Sequence, residues 1–346
     1  MSRTGSEVSR YIAEMKKCII LFVAALFGAT LHAAPQVLDI DWKDSARERT
    51  LPLKIRVPDG DARVPLVIFS HGLGGSREGG KAWGEHWSAN GYLVIHVQHP
   101  GSDESLWKGP GEGAAKLRMA RGATPEQLLG RVDDVRFVID ELARLPAKSD
   151  APAWAKRADL SRIAMTGHSF GARTAMALAG ERYPGPIKSV ADGRIAAFIA
   201  FSPTVQGAKK TWPERYGAMS KPFLSVTGTI DGDVMGTGSN PKNRAAVFDA
   251  QNAGDKYRVV FAEGDHSVFN GGSAREAVSL NRITGDDLAR TSAASAYLIH
   301  DKARVVTLKF LDAYLKGDAA AKSWLATEAQ KALGDAAEWS YKKGVD

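Results

Sequence analysis

The chain has 346 residues, 44% of them hydrophobic and 25% charged, the composition of a globular protein with enough length for a large core. Its formal charge of +7 is spread, with Lys and Arg interspersed among Asp and Glu rather than gathered in runs. No zinc-finger, RNA-binding or helix-turn-helix signature accompanies that charge, which argues against a nucleic-acid partner.

From Met15 the sequence reads Met-Lys-Lys, an apolar run from Cys18 to Ala29, and then Leu31-His32-Ala33-Ala34-Pro35. A basic start, a short hydrophobic stretch and small residues at its end predict a signal peptide over residues 1–34, cut near Ala33 or Ala34, and hence a secreted or periplasmic protein. The run is short for a membrane span. Leu31 or His32 at the −3 position makes the cleavage signal imperfect, and the polar residues 1–14 add nothing to the pattern, so Met15 is an alternative start. Cleavage removes Cys18, the one cysteine, which leaves no disulfide, cysteine nucleophile or cysteine-bound zinc in residues 35–346.

Gln36–Ile40 and Leu51–Val57 alternate apolar and polar residues, as an antiparallel edge pair does. Pro65–Ser70 is a continuous apolar run, the pattern of a strand covered on both faces, and it leads into His71-Gly72-Leu73-Gly74-Gly75. Glycines after a strand let backbone approach a ligand, and loops of this type supply a backbone N–H to an oxyanion; that of Leu73 is the candidate here, with His71 holding the loop. A phosphate-cradling loop is the rival, but no G-K-[ST] follows. Ala82–Asn90 reads as a helix and Tyr92–Val97 as another buried strand. Residues 99–125 are polar and rich in Gly and Pro, predicting an irregular loop or lid insertion. Trp107 within it is a candidate substrate contact or a residue packed on the body. Residues 125–145 suit a helix covering one sheet face, with Arg131, Asp133 and Asp134 on a solvated or salt-bridged side.

The stretch Arg162–Ala175 passes from an apolar strand through Gly167-His168-Ser169-Phe170-Gly171 into a small-residue helix. This is G-x-S-x-G in a strand–turn–helix setting, where a strained turn exposes a serine hydroxyl and the helix N-terminus faces developing negative charge. Ser169 is therefore the candidate nucleophile and the N–H of Phe170 the second oxyanion donor. Three further strands follow: Ile195–Phe201, Pro222–Thr227 and Tyr257–Phe261. The repeat of strand, polar loop and helix predicts an α/β fold, a mostly parallel central sheet with helices on both faces, whose ligands bind beyond the strand C-termini. Asp231 and His266 lie in two of those loops, giving the chain order Ser, Asp, His. Serine needs a base within reach, and His266 fills that role with Asp231 orienting it. Asp233 competes, but Asp231 follows its strand more closely. His168 is expected to point away from Ser169. No histidine or carboxylate cluster has metal-ligand spacing, and no cofactor is expected.

Taken together, Ser70-His71-Gly72-Leu73-Gly74-Gly75, the Gly167–Gly171 elbow and the Gly264-Asp265-His266 turn resemble those of bacterial relatives of platelet-activating-factor acetylhydrolases within the α/β-hydrolase superfamily, a group often labelled predicted dienelactone hydrolases. The resemblance runs from the Pro65 strand to a helix over Ala303–Leu315. It implies a cofactor-free serine esterase for short or accessible acyl esters, with oxyanion donors at Leu73 and Phe170. Two departures stand out. Dienelactone hydrolases use a cysteine nucleophile where this chain has Ser169, and animal acetylhydrolases take their acid after the strand that here ends in Ser202-Pro203. Lipid or polyester hydrolysis, acyl transfer or peptide cleavage on the same residues, and a non-catalytic binding module on the same fold are the alternatives. Ala319–Leu333 reads as a final helix with Trp324 and Leu325 buried; with no repeat or linker, residues 35–346 form one expected domain.

Overall fold

Strands that are apolar on both faces need cover above and below, and this requirement decides the layering. The computed structural model describes residues 36–108, 112–185, 189–233, 238–252, 254–272 and 290–344, so the expected signal peptide lies outside the described residues. All of these belong to one unit, Pro35–Asp346. Its strands are β1 (Gln36–Asp44), β2 (Arg49–Val57), β3 (Val64–Ser70), β4 (Leu93–Val97), β5 (Ala158–His168), β6 (Ile195–Phe201), β7 (Phe223–Gly228), β8 (Lys256–Phe261) and β9 (Ala337–Lys342). They form one sheet in the order β1-β2-β4-β3-β5-β6-β7-β8-β9. The middle of the sheet, from β4 to β8, is parallel; β1, β2 and β9 join it antiparallel.

The helices are α1 (Lys81–Ala89), α2 (Ser105–Lys108), α3 (Glu112–Gly122), α4 (Pro125–Arg144), α5 (Phe170–Leu178), α6 (Trp212–Tyr216), α7 (Pro241–Ala250), α8 (Ala293–Leu315), α9 (Ala319–Thr327) and α10 (Ala329–Leu333). Side chains alternate along each strand and so feed two cores. Leu66 and Ile68 of β3 join Val132, Val135 and Ile139 of α4 on one face. Val67 and Phe69 join Trp83 and Trp87 of α1 and Val306 and Phe310 of α8 on the other. The α4 helix starts with Thr124, whose hydroxyl accepts from the N–H of Gln127 at 3.3 Å, and with Pro125 where no intrahelical partner is needed.

Four expectations change. The 99–125 segment is largely helical, as α2 and α3, rather than irregular. The carboxylate of Asp103 starts α2 by accepting from the Ser105 hydroxyl at 2.6 Å and N–H at 3.3 Å, a local signal that the Gly and Pro content masks. The α8 helix starts at Ala293, ten residues before Ala303, because Ser292 caps it. Tyr297 and Leu298 in its early turns are exposed, so this part shows no amphipathic period. The Ala319–Leu333 helix is two, α9 and α10, with Leu325 buried but Trp324 only half-buried. The fourth change is the last strand, β9, whose sequence Ala-Glu-Trp-Ser-Tyr-Lys has no apolar run.

That strand covers the edge of β8, pairing Phe261 with Ala337 through to Lys256 with Lys342, and Tyr341 stacks on Tyr257 at 4.8 Å between ring centroids. An uncovered edge reading Lys-Tyr-Arg-Val-Val-Phe would be a template for intermolecular pairing. Deletion of residues 337–344 is expected to cost on the order of several kcal/mol and to make the protein aggregate with rising concentration. Calorimetry and light scattering read both; a truncated protein with unchanged Tm that stays monomeric contradicts the assignment of β9 as an edge guard.

Candidate active site

The site begins where β5 turns into α5 across a single residue. Ser169 holds φ 55° and ψ −111°, a strained backbone for a residue with a side chain. The turn is held on both sides: Ser169 N–H donates to the Phe201 carbonyl at 2.9 Å, and its own carbonyl accepts from Arg173 N–H at 3.1 Å to start the helix. Gly167 and Gly171 permit the packing. A Cβ on Gly171 would run into the Ser70 carbonyl, and one on Gly167 would sit 2.5 Å from the Gly171 backbone. The helix N-terminus thus lies against the end of β3, where the His71–Gly75 loop begins. A Cβ on Gly72 would be 3.5 Å from the Cβ of Ser169, so this loop passes beside the serine.

His266 and Asp231 arrive from the loops after β8 and β7. Those loops touch through Gly228 and Gly264, where a Cβ on Gly228 would run into the Gly264 carbonyl, and Ile230 N–H donates to the Gly264 carbonyl at 3.2 Å. The result is a continuous chain of contacts. His266 Nε2 is 2.9 Å from Ser169 Oγ, and His266 Nδ1 is 2.8 Å from Asp231 Oδ1. A carboxylate only accepts, so Nδ1 carries the proton and Nε2 is free to accept from the serine hydroxyl. Asp231 is fully buried, His266 nearly so, and Ser169 partly exposed. Thr227 Oγ1 donates to the other oxygen of Asp231 at 2.8 Å. Burial pushes the Asp231 carboxyl up, but Arg244 and His266 outweigh it and the net shift is downward. Burial and then Arg244 lower the proton affinity of His266 against the pull of Asp231. Asp233 does not take the Asp231 position; its carboxylate accepts from Gly238 N–H.

Two histidines have roles that sequence patterning did not reveal. His168, expected to point away, instead lies under the site, with its Nε2–H donating to the His266 carbonyl at 2.9 Å and its ring 4.7 Å from that of His266. His99 lies at the end of β4 and joins Ser70 and Asp134: Ser70 Oγ is 2.8 Å from its Nε2 and Asp134 Oδ2 is 2.9 Å from its Nδ1. Arg131 and Asp134 are completely buried rather than solvated, while Asp133 stays on the outer side. Arg131 donates to the His71 carbonyl at 2.6 Å and the Ser102 hydroxyl at 2.8 Å, and its guanidinium lies 4.4 Å from the Phe170 ring centroid. One side chain therefore touches both the His-Gly loop and the residue after Ser169. His71 does hold that loop, Nδ1–H donating to the Gly72 carbonyl at 2.6 Å and Nε2 accepting from His99 N–H at 3.0 Å. A readable signal existed: Arg131 is three residues after Leu128 and Asp134 three further, on the apolar stripe of α4. Trp107 packs on the same loop, its Nε1–H donating to the Gly74 carbonyl at 2.6 Å, and it stays partly exposed.

Comparison with known proteins adds to this geometry. A solved ferulic acid esterase from Streptomyces cinnamoneus superposes with a TM-score of 0.55, at 19% identity, covering 84% of this chain and 92% of its own. This is the α/β-hydrolase fold. The family model "Platelet-activating factor acetylhydrolase, isoform II" matches residues 48–107 of the hydrolase-fold chain, from β2 through the His-Gly loop to Trp107. The family resemblance read from the sequence is thereby borne out, and the likeness is to ester hydrolases. No curated protein matches the chain in sequence. No helix of the described residues is long and apolar enough to cross a membrane.

The buried histidines of this hydrolase fold make stability depend on pH in a defined direction. Burial, reinforced by neighbouring Arg56 or Arg131, depresses His96 to about 3 and His99 to about 4, and it lowers His71 and His168 as well. A depressed histidine binds its proton better in the unfolded chain, so stability is lost as pH falls from about 6.5 toward the folded value and levels off below it. Each fully coupled histidine contributes a slope of about 1.4 kcal/mol per pH unit. Urea midpoints should hold steady above pH 7 and drop through the interval between about pH 6.5 and 4. A midpoint unchanged down to pH 5 would show that these rings accept protons in the folded state.

Proposed function

We propose that the protein is a serine carboxylic-ester hydrolase acting through an acyl-enzyme on Ser169. The observation that carries the reading is the unbroken run of contacts from buried Asp231 through His266 to a partly exposed, strained Ser169. His266 Nε2 takes the serine proton as Oγ attacks the ester carbonyl, and the C–O double bond becomes a tetrahedral oxyanion. The N–H groups of Leu73 and Phe170 are the proposed donors to that oxyanion; Phe170 opens α5, whose first-turn N–H groups lack helical partners. Collapse expels the alkoxide with the proton from His266. Water then attacks the acyl-enzyme by the same route, releasing the carboxylic acid. Asp231 stays ionised throughout and stabilises the imidazolium.

For the substrate, the acetylhydrolase and esterase names of the matching proteins favour a short or accessible acyl group over a long lipid or polyester chain. Trp107, half-exposed beside Gly74, is the proposed wall of the acyl pocket. The leader read at Met15–Ala34 supports a further proposal, export to the periplasm or medium with removal of residues 1–34. Mass spectrometry of the protein from the secreting host, showing an N-terminus near Pro35, is the expected result.

A p-nitrophenyl ester series from acetyl to long-chain should show turnover highest at the short end. Ser169→Ala and His266→Ala should each lower kcat by several orders of magnitude, on the order of 10⁶ in the best-measured serine hydrolase, with Asp231→Ala losing less. A fluorophosphonate should label the wild type and spare Ser169→Ala. An unlabelled wild type with no ester turnover would leave a binding module on this fold, and faster amide than ester turnover would make it a peptidase or amidase.

A further inference from the structure

The side chain of Arg244 is as closely engaged with Asp231 as His266 is, and the hydrolytic cycle above gives it no part. It projects from the first turn of α7, a helix started by Asn240, whose Oδ1 accepts from Asn243 N–H at 3.0 Å, and by Pro241. It is 4% exposed. Its Nε lies 2.8 Å from Asp231 Oδ1, the same oxygen that His266 Nδ1 contacts, while the Nε–H donates to the Asp231 main-chain carbonyl at 2.9 Å. Nη1 donates to the Ser202 carbonyl at 2.7 Å and Nη2 to the Gly232 carbonyl at 3.0 Å. One guanidinium thereby ties the loop after β6 to the loop after β7 and fixes the acid between them.

We infer that Arg244 is a positioning residue that sets the working pH of His266, by holding Asp231 in place and taking a share of the negative charge that an imidazolium needs. The inference rests on the hydrolytic reading of Ser169, His266 and Asp231. A carboxylate next to an imidazole ordinarily raises its proton affinity. Here burial already disfavours the imidazolium, and a permanent cation on the same oxygen adds to that against the carboxylate, so the ring stays neutral and able to accept the serine proton at lower pH. The charged and titratable groups facing His266 and its partner are few. Asp231 and Arg244 come from the β7 loop and α7, Asp265 from its own turn, His168 from the end of β5, and Asp233 stands near Arg244. Asp265 is committed elsewhere, since its carboxylate accepts from Val268 N–H at 2.8 Å and Thr291 N–H at 3.0 Å. Arg244 is the group whose removal changes the balance on Asp231 most directly.

The test is the acid limb of kcat/KM against pH for wild type, Arg244→Lys and Arg244→Gln. The glutamine variant should move the limb up by about 1 unit or more, since removing a nearby cation favours the imidazolium. The lysine variant, which keeps the charge, should stay near wild type. A merely structural role would lower activity at every pH and leave the limb where it was, and that outcome overturns the inference. NMR titration of the His266 ring in wild type and Arg244→Gln reads the same balance without turnover. A higher value in the glutamine variant than in wild type is expected, and an equal or lower one overturns the inference. Because that titration does not use an ester, it separates failure of this inference from failure of the hydrolase reading, which Ser169→Ala and fluorophosphonate labelling decide.

Discussion

The close approach of the α5 N-terminus to the end of β3 governs the arrangement around Ser169. Gly171 rests against the Ser70 carbonyl, and Gly167 against Gly171, at separations that leave no room for a methyl group. A strand can turn into a helix at one residue only if that residue accepts an unfavourable φ and ψ, which costs roughly 1–3 kcal/mol. Ser169 is that residue, and the cost is offset by the β5–β6 pairing that continues through its N–H to Phe201. The consequences follow from this contact. Ser169 stands where β5 ends and α5 begins, and the His71–Gly75 loop is held next to it.

The protein contains a second Ser-His-Asp array, and the contrast is instructive. Ser70, His99 and Asp134 repeat the distances of Ser169, His266 and Asp231 to within about 0.1 Å. Hydrogen-bond geometry does not distinguish the two. Their surroundings do: Ser70 is fully buried in a regular strand, whereas Ser169 is partly exposed on a strained turn. In the buried array Asp134 is also held by Arg49 at 2.7 Å and Arg47 at 2.9 Å, and His99 and Arg49 keep its carboxyl down near 2 despite burial. Such a network costs desolvation and returns specificity of shape, here the shape of the loop that carries Leu73. Arg131 of α4 borders both: it donates to the Ser70 hydroxyl at 3.4 Å in the inner array, to the His71 carbonyl, and lies over the Phe170 ring next to Ser169.

The fold was legible wherever a pattern repeated. Strands covered on both faces read as apolar runs, and the elbow motif placed Ser169 between a strand and a helix. Asp231 and His266 were legible from topology, since each follows a strand of a parallel sheet; the structure brings both to Ser169. What was not legible lacks a local pattern. The polar last strand, β9, is specified by its pairing with β8, and the exposed first turns of α8 by a serine cap and by the contacts of Thr291 and Ser295 with the His266 turn. His99 and Arg244 carry no local signal at all: each is an ordinary residue until distant parts of the chain converge on it. Arg131 and Asp134 were legible in part: Asp134 is salt-bridged, to Arg47 and Arg49, but neither residue is solvated, and their positions on the apolar stripe of α4 mark them as buried charges.

The placement of the arginines also bears on how the net positive charge should be understood. Arg131 and Arg244 are interior groups, the first surrounded by backbone carbonyls and serine hydroxyls and the second by backbone carbonyls and the Asp231 carboxylate, and Arg47 and Arg49 turn inward onto Asp134. Burial pulls Arg131 down to about 9, which still leaves it charged at neutral pH. A formal charge of +7 counts these residues as if they faced solvent, yet they act as cross-braces between loops. Guanidinium suits that task better than ammonium, since its five N–H groups in a fixed plane engage several carbonyls at once. The excess of basic residues is in this part a property of the scaffold: Arg131 braces the His71–Gly75 loop, and Arg244 the loops that carry Ser202 and Asp231.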